Sequence, residues 1–508
     1  MNSTTTAPRS GRLPSFYLLF SVILAFVFLY LRTFLLPGTP LIAYGDELHY
    51  FLHAVRMMHG QAPYRDFFTF VLPGTDVLYV AVFRIFGVHQ WVAAGCVITV
   101  GLLLTAIITL ISSTVLRGWK VMLPGLLFLV FDFNSFLDAT HHWWSSLAIL
   151  AAGALLLTRR SDRRIVAAGF LCAVAAFFTQ TAGAFGLFGI ALYLMLTADP
   201  SRPKAHRFRE LLLLASTFVV ALTGMVGYFI HQVGLRTIVQ WTIYFPAVYF
   251  PTLPGHRPGA YFMAAPHLHH LADLATATPY FFIHAAVPFV YLVCVYRLIR
   301  QKRTMDPRLW QRVLLLNLIG LALFASVMSA AVPIRMNGVA PPAMILCVWL
   351  FSGTGKSDRW IRAALWTAAL ALLIYLPVNR QRSGGMLLDL PTGRASFGDV
   401  SQYENMKWFS QHLRPGDSVF DSTGVSFAFA LDPVRPMDYV TVGEFTRPEQ
   451  IDTLLESFRQ LRTRFIVLYP GLYDPHRQSD NLAPLRDYIA KNYHLARVDR
   501  LGQIWERN

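Results

Sequence analysis

The chain is 508 residues long, 55% hydrophobic and only 14% charged, whereas a soluble domain carries about a quarter charged residues. That shortage excludes an ordinary water-soluble enzyme. A net charge of +16 would suggest nucleic acid in a soluble protein, but here the basic residues sit between apolar runs, which points to a bilayer and excludes nucleic acid as the partner.

Apolar runs near the roughly 20 residues needed to cross a bilayer recur along the first three quarters of the chain. The first, about Pro14 to Leu36, is too long for a cleavable signal segment and reads as a retained span. Further spans are predicted near 91–116, 121–137, 144–158, 165–180, 183–198, 210–231, 279–297, 313–331, 341–353 and 363–378, about eleven in all. Several are short, which predicts tilted or partly inserted helices around a cavity. The loops between them carry Arg9 and Arg12, Arg117 and Lys120, Arg159 to Arg164, Arg202 to Arg209, Arg297 to Arg312, and Lys356 to Arg362. With the N-terminus inside, every one of these falls on the cytoplasmic side, as basic loops should. Cys96, Cys172, Cys294 and Cys347 lie within apolar runs without paired spacing and read as small core residues.

The opposite side then receives the first loop, 37–90, the loop 232–278, the short turns near 138–143 and 332–340, and the tail. The organisation predicted is a membrane domain over 1–378 and a soluble extracytoplasmic α/β domain over 379–508. In the tail, helix-like segments (Val400 to His412, Pro448 to Leu461, Leu482 to Asn492) alternate with strand candidates at Ser418 to Asp421, Phe465 to Tyr469, His494 to Val498 and Gln503 to Glu506.

Two amphipathic helices are predicted in the first loop. Leu48, Phe51, Leu52, Val55 and Met58 recur at helical spacing between Gly45 and Gly60, and Leu78, Tyr79, Val82, Phe83 and Phe86 do so after Pro73-Gly74. Both are expected to lie in the interface, the first with its apolar side toward lipid. Asp46 and Glu47 open the first of them, just beyond a span. An ionisable group there is either functional, as a general base toward an acceptor hydroxyl or a cation ligand, or merely a helix cap.

The order of these features resembles the GT-C superfamily of membrane glycosyltransferases. It is carried by Gly45-Asp46-Glu47, by Arg56-Met57-Met58-His59-Gly60, by Pro63-Tyr64-Arg65-Asp66-Phe67, by Pro73-Gly74 and by Phe86-Gly87. The nearest types are the protein mannosyltransferase and aminoarabinose transferase (glycosyltransferase 39/83) families. The resemblance implies a polytopic α-helical membrane protein with interfacial helices and a small C-terminal α/β domain. It implies an enzyme of the inner (plasma) membrane that moves a sugar from a polyprenyl monophosphate, usually with inversion, to a lipid, glycan or protein acceptor outside the cytoplasm. It makes Asp46 the catalytic aspartate, with Glu47 beside it, and brings Tyr64 and Asp66 into the substrate cavity. Relatives often carry a further acidic residue before the second interfacial helix, where this chain reads Phe68-Thr69-Phe70-Val71. Asp66 or Asp76 substitutes for it, or that metal-linked role is absent; a divalent cation is left open, and no other cofactor is implied.

Outside the tail, the basic residues of the outer face are all arginines, and a guanidinium fork suits a lipid phosphate better than an ammonium does. Arg335, in the short apolar turn Pro333 to Gly338, is the first candidate for that phosphate, the alternative being a snorkelling surface arginine. Arg257 and Arg65 are further candidates. The resemblance implies that His141 and His142 line the cavity; the residues themselves read equally as part of an interfacial aromatic belt with Trp143 and Trp144. Gln180, in Thr179-Gln180-Thr181 between two short spans, either binds a sugar hydroxyl or satisfies a broken helix backbone. His267, His269 and His270 crowd together but lack the acidic or cysteine partner of a metal site.

Two other classes share such a scaffold. A transporter or lipid flippase would show related halves and charges near mid-membrane; this chain shows no convincing repeat, and its charges gather at the outer face. A non-catalytic envelope scaffold would leave Asp46 as a cap only.

Overall fold

A chain in lipid must satisfy its own backbone, and helices do so within one segment. The computed structural model describes residues 13–197, 204–253, 261–262, 265–270, 273–328, 331–421, 423–437, 439–441, 443–469, 472, 480–500 and 502–508, and it is mainly helical. The helical body comprises α1 (Leu13–Thr33), α2 (Glu47–Met58), α3 (Gly74–Phe86), α4 (Gln90–Val115), α5 (Leu123–Leu127), α6 (His141–Thr158), α7 (Asp162–Phe178), α8 (Gln180–Leu196) and α9 (Lys204–Val233). It continues with α10 (Leu235–Val239), α11 (Phe245–Val248), α12 (Leu274–Phe281), α13 (Val287–Arg300), α14 (Pro307–Val327), α15 (Pro333–Gly338), α16 (Pro341–Leu350) and α17 (Lys356–Ser383). Among the described residues, six helical stretches are long and apolar enough to cross a membrane: Ser15–Thr33, Gln90–Val115, Ala205–Val233, Leu274–Arg300, Pro307–Val327 and Lys356–Ser383. The remaining expected spans coincide with shorter helices, among them α8 and α16.

Small residues set the closest approaches. A Cβ on Gly74 would lie 2.6 Å from the Phe177 carbonyl oxygen, and one on Gly183 would lie 2.3 Å from the Ala176 nitrogen. Thus α3 rests on the end of α7, and α7 and α8 fold back on each other across the break at Thr179.

The helices of the tail lie close to the expected helix-like segments: α18 (Val400–His412), α20 (Pro448–Gln460) and α21 (Ala483–Asn492), with the one-turn α19 (Val425–Ala428) between the first two. Strands β5 (Val419–Phe420), β6 (Phe465–Leu468), β7 (Tyr493–Asp499) and β8 (Gly502–Arg507) form a four-stranded sheet in the order β5-β6-β8-β7, parallel only between β5 and β6. Two further hairpins, β1 (Phe34–Leu35) with β2 (Thr39–Pro40) and β3 (Met386–Leu388) with β4 (Ala395–Phe397), meet where Leu41 bridges Ser396.

One expectation is corrected. The apolar side of α2 does not face lipid: Leu48, Phe51, Leu52 and Ala54 are buried in protein. The Phe51 ring lies 4.6 Å from Tyr79 of α3 and 4.8 Å from Phe427 of α19. An amphipathic stripe tells that a helix has an apolar partner, and it does not distinguish lipid from a distant part of the same chain.

Candidate active site

The first loop, the helix starts and the tail enclose a cavity of about 330 Å³. An 80 Å³ extension shares its walls at Phe70, Val71, His141, His142, Phe250 and Arg335. Asp46 stands exposed at the mouth and lines the cavity. It occupies the N-cap position of α2, yet its backbone is helical (φ −62°, ψ −23°) and its side chain makes no capping hydrogen bond. By contrast Asp399, extended at φ −119° and ψ 129°, caps α18 by accepting from the Gln402 amide at 2.9 Å. Capping needs the extended geometry; Asp46 lacks it, so its carboxylate is directed elsewhere.

Glu47 is buried behind this wall and does not line the cavity. A single oxygen, Oε1, accepts from the Tyr79 hydroxyl at 2.6 Å and from the Ala139 amide at 3.0 Å. Burial, and next the charge of Asp138, push its carboxyl up to about 8. Two bonds on one oxygen leave the other to carry a proton, so Glu47 is a neutral strut joining α2, α3 and the 138–140 turn. Asp138 is itself pushed up to about 7, first by burial and then by the charge of Asp46.

Arg335, on the one-turn α15, lines both parts of the cavity. Its guanidinium stacks on Phe250 at 4.2 Å and makes no hydrogen bond or ion pair among the described residues. Burial lowers it to about 10, the Asp46 carboxylate opposing that shift, so it stays charged at neutral pH. His141 and His142, at the start of α6, face the cavity with ring centres 3.8 Å apart, and the Tyr50 hydroxyl is hydrogen-bonded to His141 Nδ1 at 2.5 Å.

Gln180 lines the extension, but its amide nitrogen is spent on the carbonyls of Phe70 at 3.0 Å and Thr242 at 2.9 Å. It fastens the α7–α8 break to the loop that walls the cavity. Tyr64, Arg65 and Asp66 stand apart from the cavity. The Tyr64 hydroxyl donates to the Val71 carbonyl at 2.6 Å, Arg65 pairs with Asp66 at 2.7 Å, and Asp66 also accepts from the Ala62 amide. Three neighbours in sequence thus close a local turn rather than reach the site. Arg257 lies outside the described residues. His267, His269 and His270 sit away from the cavity, and Asp273 accepts from the amides of the latter two.

Several wall residues escaped the sequence reading. His53, one turn and a half along α2, lines the cavity with Nδ1 3.2 Å from Oδ1 of Asp76, a fully buried carboxylate whose second oxygen, Oδ2, has no partner among the described residues. A histidine seven positions after the aspartate, with a later acidic residue on the facing helix, is the signal that could have found it. The tail contributes Tyr439, Thr441, Phe445 and Tyr469, and no local pattern marks those residues. Among the described residues no three His, Cys, Asp or Glu side chains converge; the charged side chains that line the cavity are the Asp46 carboxylate and the Arg335 guanidinium.

The irregular cavity between short helix ends, the first-loop helices and the mixed α/β tail make up a fold that the chain shares with solved GT-C membrane glycosyltransferases. The chain superposes on ArnT from Cupriavidus metallidurans, solved with undecaprenyl phosphate bound, over 97% of both chains with a TM-score of 0.59 at 15% identity. The oligosaccharyltransferase AglB from Archaeoglobus fulgidus, in complex with an inhibitory peptide and a dolichol-phosphate, superposes with a TM-score of 0.53 at 11% identity, over 98% of this chain and 75% of that one. No protein-family model matches the sequence, and no curated protein sequence does.

Proposed function

We propose that the protein is an integral membrane glycosyltransferase that takes a sugar from a polyprenyl monophosphate and passes it to an acceptor hydroxyl at the outer membrane face. The observation that carries this reading is the shared cavity: Asp46, free of any capping bond, and Arg335, without a hydrogen-bond or ion-pair partner among the described residues, both face it. Support comes from the two solved proteins of this fold that hold undecaprenyl phosphate and dolichol-phosphate. Asp46 takes the acceptor's proton as the acceptor oxygen bonds to the anomeric carbon. The bond from that carbon to the phosphate oxygen breaks, and the configuration inverts. The departing phosphate keeps the electron pair, and its growing charge is met by Arg335. His53, oriented by Asp76, stands where it can position the acceptor.

In this reading the chain crosses the bilayer about eleven times, with the N-terminus and basic loops in the cytoplasm, and residues 379–508 form the extracytoplasmic part. Donor and acceptor then meet where lipid borders water, and binding geometry does the remaining catalytic work.

The test is release of polyprenyl phosphate and labelling of envelope lipids and glycans by membranes containing the wild type, Asp46→Asn or Arg335→Ala. Transfer is expected to fall by about 10²- to 10⁴-fold for Asp46→Asn, with the melting temperature unchanged because no capping bond is lost. Transfer at the parent rate would sink the assignment of the base. Impermeant thiol labelling of Asp46→Cys in intact cells tests the orientation, and protection from the outer reagent would reverse it.

A further inference from the structure

Three helices run between the catalytic cavity and a second one. Their near ends carry His141, Ala182 and Leu323 beside the catalytic cavity, on α6, α8 and α14. Their far ends carry Thr158, Thr197 and Arg308, which line a cavity of about 510 Å³. At 1.5 Å per residue, the two ends of α6 are roughly 25 Å apart. The second cavity is therefore a separate place on the opposite face of the body.

Its walls bring together Arg159, Arg160, Arg207, Arg308 and Arg312 against one carboxylate, Glu210. That carboxylate is already committed. Glu210 is buried and accepts from Arg160 Nε at 2.8 Å and from Arg160 Nη2, with His206 3.5 Å away. Arg160 also donates to the Leu194 and Thr197 carbonyls at 3.2 and 3.3 Å, so the pair forms a fixed floor under the ends of α8 and α9. Arg312 donates to the Thr114 carbonyl at 2.7 Å. Arg207 and Arg308 make no side-chain hydrogen bond or ion pair among the described residues, and the Nε of Arg207 is buried there without a partner.

Basic residues that only set topology have to be on the correct side; they need not converge. Guanidinium groups gathered on one concave wall repel each other, and that cost is relieved by an anion between them. We infer that this cavity binds a phosphate-bearing anion, either the headgroup of an anionic phospholipid or a soluble phosphate compound. Guanidinium forks match phosphate oxygens in geometry as well as charge, and basic pockets between helices at a membrane face hold lipid headgroups. The inference stands apart from the reaction proposed above, since no residue of this cavity belongs to the catalytic one.

The test uses the full-length protein, delipidated in neutral detergent and offered phosphatidylglycerol, phosphatidylcholine or pyrophosphate. Retained lipid is read by native mass spectrometry, and pyrophosphate binding by the shift in melting temperature. Phosphatidylglycerol or pyrophosphate is expected to bind the wild type at least about tenfold more tightly than the Arg207→Gln/Arg308→Gln variant, a charge-assisted hydrogen bond being worth that much or more. Arg303→Gln, which removes an exposed charge outside the cavity, should bind as the wild type does. Arg308→Gln alone, at an exposed position, keeps the test open if the double variant does not fold, with the same loss in smaller measure. Retention of phosphatidylglycerol over phosphatidylcholine supports the inference with a lipid ligand, and pyrophosphate binding without lipid supports it with a soluble one. Equal binding by wild type and variants, an equal loss in Arg303→Gln, or no binding of either probe to the wild type overturns it.

Discussion

Two arginine properties decide what Arg335 can do, its planar fork and its stacking face. With its Cζ 4.2 Å from the centre of the Phe250 ring, the guanidinium is held against the cavity wall, a preorganisation that lysine cannot reproduce. Arg335→Lys keeps the charge and loses the fork and the stack; donor KM is expected to rise by about tenfold to a hundredfold, the range of one or two charge-assisted hydrogen bonds. Steady-state kinetics with varied donor would read it, and an unchanged KM would place the phosphate elsewhere. Glu47 supplies a pH test of the same wall. Its folded carboxyl sits at about 8 against an ordinary value of 4.5, through burial first and the Asp138 charge next. A raised carboxyl contributes stability that is fully present below the ordinary value and is lost as pH rises through the folded one. The melting temperature should therefore fall as pH goes from about 5 to about 9, and Glu47→Gln, neutral at every pH, should flatten that decline. A slope identical in the two proteins would show that Glu47 is not the group responsible. Consecutive helical positions point about 100° apart, but sequence alone could not tell which of Asp46 and Glu47 faces the cavity and which the core.

Helix ends, more than helix middles, place the reactive groups. His141 begins α6, Gln180 begins α8 and Arg335 lies on the single turn before α16, so small shifts between helices move the whole site. Gly74 is such a control point, since a Cβ there would stand 2.6 Å from the backbone oxygen of Phe177. Backbone cannot rotate out of the way as a side-chain tip can, so α3 would have to lift from α7. Gly74→Ala is expected to cost about 1–3 kcal/mol, the range for overpacking, and to slow transfer, because α3 carries Asp76, the partner of His53. Thermal unfolding and turnover measured together check this, and a variant unchanged in both would show that the two helices are not held at that distance. The elements themselves were largely legible: α20 shows clear apolar periodicity, with Ile451, Leu454, Leu455 and Phe458 on its buried side, and strand β6 is a short apolar run. The three-residue strands β3 and β4 were not, since so short a run has no period, and they are defined by pairing with each other and with Leu41.

At the scale of the whole molecule, the tail completes the site as well as following the helices in sequence. Phe445 packs against Phe68, Phe70, Phe245 and Phe250, with ring centres 5.9, 5.7, 5.2 and 6.0 Å away. Those four lie in the first loop and the segment after α10, so one aromatic cluster belongs to both ends of the chain. Gln90, at the start of α4, adds a polar fastening: its side chain donates to Thr392 Oγ1 at 3.1 Å and accepts from the Ala43 amide at 3.2 Å. None of these contacts was visible beforehand, because pairs of residues hundreds of positions apart leave no local period, and the tail's helix and strand pattern does not tell what it packs against. The arrangement has a mechanical consequence. Each aromatic pair is worth about 0.5–1.5 kcal/mol beyond the area it buries, and the Phe51–Phe427 pair adds another such link, so the joint should outlast the covalent connection. A protease site inserted after Gly385, two residues beyond α17, would cut the chain without touching either partner of these pairs. After cleavage in mild detergent the two pieces are expected to elute together and to melt in one transition, with transfer activity retained. Adding Phe445→Ala should loosen them by about 3–5 kcal/mol, enough for separation on dilution and loss of activity. If the tail of the cleaved wild-type chain eluted alone while the helical part still transferred sugar, the cavity would be complete without Tyr439, Phe445 and Tyr469, and the catalytic wall would have to be sought among the membrane helices and the first loop alone.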